Sequence, residues 1–234
     1  MIDWHRLLGL ALTDCFTDSP FVVELEKDLS LKQQFLDVVI LKKGEGEFSG
    51  QLPDGLDNLA DHNLLSYKSI REALNDWTLD ELIGYYVNYR KQTSPSLNKL
   101  LPKEQFRLYG VSTRFPQKLA ELVQLDPLQP GVYEVIWGVQ RIRVIVLSEI
   151  PQAEHNAIWN LFSAIREKVA SGAAQYRHHP SDISSIINDL FKNYELEGLV
   201  MPYTMEDYQR EVARRACNDF LAMKSYSGFP LKRF

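Results

Sequence analysis

The chain has 234 residues, a formal net charge of -5, 45% apolar and 24% charged residues, enough for one substantial domain with a core that needs no metal or disulfide staple. This composition excludes fibrous and intrinsically disordered classes, and the acidic balance gives no global attraction to nucleic acid. No stretch approaches the roughly 18 uninterrupted apolar residues of a membrane helix, no cleavage pattern follows the apolar centre of MIDWHRLLGLALTDCF, and Cys15 and Cys217 form neither a zinc nor a CxxC pattern, so a cytoplasmic protein that does not span a membrane is expected.

In chain order, Trp4, Leu7, Leu8, Ala11 and Leu12 recur at helical intervals and predict a helix over 3–16, stopped by the turn chemistry of Asp18-Ser19-Pro20. FVVELEKDLS alternates, with Val23 and Leu25 on one side and Val22, Glu24 and Glu26 on the other, as a strand requires. FLDVVIL, residues 35–41, reads as a largely buried strand that pairs with it as a hairpin, and it carries one acid, Asp37, in an apolar run. Residues 44–63 have no period and predict a long loop of the kind that is often functional. LLSYKS is a third strand, and Ser69 with Glu72 forms a capping box that sets a helix start near Ser69, with the helix running to about residue 92.

Pro95 and Pro102 bracket a connector, FRLYGVS reads as a fourth strand, and a short helix begins at Pro116. GVYEVIWG and QRIRVIVLSEI form a hairpin about Gly138. From Glu154 onward the pattern is helical, in three segments ending at Gly172, at Gly198 and near Lys224. The expected fold is α/β (α+β), with a core over 1–150 and a helical C-terminal part over 151–234 whose apolar stripes, including Trp159, Phe162, Ile186 and Leu190, complete the core or a homodimer interface.

No phosphate loop, GxGxxG, GxSxG or HExxH occurs, and the five histidines (5, 62, 155, 178, 179) have no ligand spacing. What remains is a set of carboxylates on the first two strands and a lysine on the third. Glu24 and Glu26 share one strand face, Asp37 interrupts the second strand, and Ser66 and Lys68 share a face of the third. If the strands are neighbours these side chains converge, and two or three carboxylates suit Mg²⁺ or Mn²⁺ with a lysine to orient or deprotonate water. The same residues admit plainer roles: Asp37 as a buried ion-pair partner, Glu24 and Glu26 as solvated edge charges, Glu72 as a cap.

The order of helix, strand with Glu, strand with buried Asp and strand ending in Lys68, then helix, resembles the restriction-endonuclease-like PD-(D/E)XK phosphodiesterase superfamily. Within it, FVVELEKDLSLKQQFLDVVILKK, NLLSYKSIREAL and LIGYYVNYRKQ resemble the bacterial recombination-promoting nucleases and their transposase-like relatives. The resemblance covers roughly residues 1–115 and extends to the MPYTMEDYQREV segment, residues 201–212. It implies a mixed central sheet flanked by helices, Asp37 as a metal ligand, Lys68 as the third-strand lysine, Glu24 or Glu26 as accessory acid, Mg²⁺ or Mn²⁺ as cofactor and DNA as partner. One position departs from the pattern: the acid expected two residues before the lysine is Ser66. Either another acid, Glu72 or Glu24, serves in its place, or the chain is a nuclease-like binding or assembly module without activity.

Overall fold

The computed structural model describes residues 4–28, 35–46, 48–176, 189–194, 198 and 210. The expected helices over 182–198 and 205–224, Cys217 and the pair His178-His179 lie outside these residues, apart from the helical stretch 189–194 and positions 198 and 210.

Helix α1 (Trp4–Cys15) is followed by strands β1 (Phe21–Asp28), β2 (Phe35–Lys42) and β3 (His62–Lys68), helix α2 (Asp76–Thr93), strand β4 (Phe106–Ser112) and helix α3 (Gln117–Leu122). Strands β5 (Asp126–Gln129), β6 (Val132–Trp137) and β7 (Gln140–Val146) then lead to helices α4 (Ala157–Leu161) and α5 (Arg166–Gln175). All seven strands form one mixed sheet in the order β1-β2-β3-β4-β7-β6-β5, flanked by helices, which is the expected α/β class. β1-β2-β3 is an antiparallel meander, whereas β3, β4 and β7 are mutually parallel, so their carboxyl ends emerge along one edge. That edge is where open parallel sheets place their ligands.

Alternation along the strands builds a core on each face. Leu65, Tyr67, Tyr109, Val111 and Ile145 pack against Leu8 and Leu12 of α1 and Trp159 of α4. Leu64, Leu108, Ile142 and Val144 pack against Leu79, Leu82 and Tyr86 of α2. FLDVVIL is apolar apart from Asp37 because both of its faces are covered: Val38 and Ile40 enter one core and Val39 the other. Burial of each such side chain contributes about 1.5–3 kcal/mol. No helix among the described residues is long and apolar enough to cross a membrane.

Three boundaries differ from expectation. Helix α2 starts at Asp76, not near Ser69, because Asn75 Oδ1 accepts from the Thr78 backbone N–H at 3.0 Å and takes the cap. Leu74 is buried against Gly110, where a Cβ would come within 3.1 Å of it, and so holds residues 69–75 as a folded-back loop. The single helix expected from Glu154 to Gly172 is instead a 3₁₀ turn (Glu154–Asn156), α4 and α5, broken where Ala164 adopts φ 56°. Gly172 is no cap; it lies inside α5, where a Cβ would sit 2.7 Å from the Ala157 carbonyl oxygen. The edge strand β5 was not expected, since DPLQ is exposed at every position and shows no alternation.

Candidate functional site

Asp37 occupies the first turn of the pleat after β2 begins, one position beyond the Val38 and Leu65 pair where the β2-β3 ladder stops. Its side chain continues the ladder. Oδ2 accepts from the Tyr67 backbone N–H at 2.8 Å and from Ser66 Oγ at 3.1 Å. Ser66, standing where the third-strand acid was expected, thus works as a donor that fixes the neighbouring acid. The cost of an acid among apolar residues is offset by these bonds and by a third, which Asp37 Oδ1 accepts from His5 Nδ1 at 3.1 Å.

His5 lies in the first turn of α1, which places its ring at the end of the sheet, edge-on to buried Tyr67 with centroids 5.9 Å apart. Its other nitrogen, Nε2, stands 3.1 Å from Glu72 Oε2. Glu72 arrives on the loop between β3 and α2, and the same oxygen accepts from Ser69 Oγ at 3.0 Å and Ser69 N at 3.3 Å. With both ring nitrogens donating, His5 is an imidazolium. Its hydrogen bonds to Asp37 and then Glu72 outweigh burial and raise its pKa from 6.5 to about 10. The bond from His5 holds Glu72 down at about 2, with the charge of Lys68 adding to the effect. The side chains of Asp37, His5 and Glu72 are 15%, 32% and 44% exposed, so the cluster opens to solvent through Glu72.

The structure therefore brings together Asp37, Ser66, Glu72 and His5, with Lys68 within electrostatic reach of Glu72. Glu24 is placed differently. It is paired with Val39, its Oε1 is 3.8 Å from Lys43 Nζ, and its charge raises the pKa of Tyr89 and opposes the burial that lowers that of His62. Those groups gather at the opposite, amino-terminal end of β3. Glu26 belongs to β1, and its side chain lies outside the described residues. His5 was missed because its contribution comes from a helix distant in sequence.

Among the described residues no three His, Cys, Asp or Glu side chains converge as a metal-ligand group. The arrangement offers instead two carboxylates from different elements with a positive charge held between them. Comparison with family models, with curated proteins and with solved structures finds no match for this chain.

Proposed function

We propose that the edge cluster is the active site of a metal-dependent nuclease that hydrolyses DNA phosphodiester bonds. The observation that carries the reading is the setting of Asp37, whose carboxylate is fixed by Ser66 and Tyr67 and shares a cation with Glu72. The element order supports it: a helix, an antiparallel three-strand meander, a helix and a fourth strand parallel to the third, with the acid at the start of the second strand and Lys68 at the end of the third. Glu72 takes the part for which Ser66 lacks the oxygen charge.

Asp37 and Glu72 would hold Mg²⁺ or Mn²⁺, which supplies Lewis-acid stabilisation of the phosphate and lowers the pKa of bound water. The chain's own residues do the rest. Ser66 Oγ and Tyr67 N hold Asp37 through Oδ2, which leaves Oδ1 to the cation, His5 in this structure. Ser69 holds Glu72 in turn. Lys68, on the sheet face of Ser66, orients an attacking water or balances charge that builds on the phosphate. His5 keeps the acids from repelling each other when no other cation is present.

A second reading is favoured by the same ring: His5 already satisfies both carboxylates, as in a structural ion-pair network of a module that binds without cleaving. Plasmid cleavage separates the two. The nuclease reading expects Mg²⁺- or Mn²⁺-stimulated nicking that disappears in Asp37→Ala and Glu72→Ala chains of native fold. Calorimetry showing no Mn²⁺ uptake, with no cleavage across a range of DNA forms, supports the non-cleaving module instead.

A further inference from the structure

A half-open cavity of about 400 Å³, the size of a small-molecule site, lies at the far end of α1 from the acid cluster, and the proposed cleavage does not use it. His5 and Cys15 stand at opposite ends of α1, about 15 Å apart along its axis at 1.5 Å per residue. The electrostatics of the cavity walls run largely one way. Cys15 and Gln175, the last residues of α1 and α5, both line it, so helices of 12 and 10 residues turn their negative carboxyl ends toward it. Asp18 and Glu154 line it as exposed carboxylates, and behind the wall buried Asp14 accepts from Tyr176 OH at 2.6 Å. Burial pushes the Cys15 thiol up to about 12, so it stays neutral. Against these stand His155, whose Nε2 faces Asp54 Oδ1 at 3.1 Å, and the amino end of α4, which is only five residues long and follows the turn that holds Glu154. Among the described residues no lysine or arginine lines the cavity, and Lys42 belongs to the adjoining one beyond Phe48 and Gln51. The wall also holds an unanswered acceptor: Gln175 Nε2 donates to Ser171 Oγ at 3.0 Å, and its buried Oε1 has no donor.

We infer that this cavity binds a small organic cation, a protonated amine on an apolar body. The amine meets Asp18, Glu154 and the two helix ends, and the body lies against Phe48, Pro53 and Ile158. A bare metal ion is a poorer occupant, because among the described residues no three acid, histidine or cysteine side chains converge as a ligand group. The carboxylates and helix ends that draw an amine repel an anion, which disfavours a phosphate- or carboxylate-bearing ligand. A neutral molecule of the same shape gains the apolar contacts and forgoes the charge. Comparing the three charge states on one body therefore isolates what the walls select.

The test is an NMR titration of the full chain, suited to weak ligands, with phenethylamine at neutral pH beside phenethyl alcohol and hydrocinnamate, which share its body and differ in charge. The amine shifts the backbone amides of Thr17, Ser19, Ser49 and His155 in a saturable way. It binds ~10-fold more tightly than the alcohol, as two exposed ion pairs and two helix ends allow. Hydrocinnamate binds no better than the alcohol. Asp18→Asn keeps the fold, because Asn tolerates the left-handed φ of 60° at this position, and weakens the amine by ~2–5-fold. Glu154→Gln weakens it by a similar factor, and neither variant changes the affinity for the alcohol. Absence of saturable shifts at these amides, equal affinity for the amine and the alcohol, or an amine affinity untouched in the double variant overturns the inference. DNA cleavage is no part of the readout, so the cation site stands or falls apart from the nuclease reading.

Discussion

Two Asp-His pairs of the same length sit at opposite places in this fold. His5 and Asp37 meet at 3.1 Å at the carboxyl edge of the sheet, and His155 and Asp54 meet at 3.1 Å under the long loop between β2 and β3. What surrounds them differs. Asp54 has every polar group engaged with the start of α4: its N–H donates to Asn156 Oδ1 at 2.9 Å, its Oδ2 accepts from Asn156 Nδ2 at 2.6 Å, and its carbonyl accepts from Trp159 Nε1 at 2.9 Å. Arg143 adds bonds to the Gly55 carbonyl and to Asp57, and Tyr109 donates to Asn58 at 2.7 Å. This pair is a clasp that fastens a loop. His5 instead joins acids from two separate elements, one of them 44% exposed, where the parallel strands end. The number of competing partners and the place in the sheet, rather than the pair itself, separate a clasp from a candidate site.

The largest effect that tests this contrast is on activity. On the nuclease reading, Asp37→Ala lowers Mg²⁺-stimulated DNA cleavage by at least ~10³-fold, about 4 kcal/mol of lost stabilisation, far more than the few degrees of melting temperature lost with its bonds to Tyr67 N and Ser66. Asp54→Ala acts on stability alone. It strands Asn156 Nδ2 and His155, costs about 2 kcal/mol, and lowers the melting temperature by roughly 4–8 °C while cleavage stays near wild type. Calorimetric melting beside a nicking assay reads both variants. Equal loss of activity in the two would mean that the clasp shapes the site.

Much of this edge is legible in the sequence, and the rest is hidden for physical reasons. Asp37 stands out because an apolar strand does not tolerate an unpaired carboxylate, and strand periodicity puts Ser66 and Lys68 on one face. Periodicity assigns a face but not the direction in which a long side chain leans, so Glu24 and Asp37 look equivalent until Glu24 is seen beside Lys43. Glu72 does make the capping-box bonds to Ser69, yet those bonds close a loop instead of starting a helix, because Asn75 caps α2. His5 carries no local signal at all, since its role depends on where α1 crosses the end of the sheet. The break at Ala164 and the strand β5 likewise have no pattern to mark them: one turns on a single positive φ and the other on backbone pairing of exposed residues.

A smaller effect bears on whether the ring of His5 stands where a metal would. His5→Ala leaves Asp37 and Glu72 without their shared cation, and Mn²⁺ is expected to bind ~5-fold tighter by calorimetry, equivalent to about 1 kcal/mol of relieved competition. In the non-cleaving module His5→Ala only destabilises, and no Mn²⁺ uptake emerges. The clasp again gives the control, because His155→Ala has no effect on metal binding in either case.

The smallest effect is the pH dependence of stability contributed by the cluster, and its sign follows from the two shifts. The pKa of His5 is raised from 6.5 to about 10, so its contribution is complete below about 6.5 and disappears as pH rises through 10. That of Glu72 is lowered from 4.5 to about 2, so its contribution is complete above about 4.5 and disappears as pH falls through 2. Both are whole only between about 4.5 and 6.5. With Glu72 44% exposed, solvent screening keeps the amount to no more than about 1 kcal/mol. The difference in urea midpoint between wild type and His5→Ala should therefore peak in that window and shrink toward both alkaline and strongly acid pH. A difference that stays flat from pH 5 to 10 would mean that His5 is neutral between the acids, held by packing against Tyr67 rather than by charge, and the edge would then lose the feature that most sets it apart from the clasp.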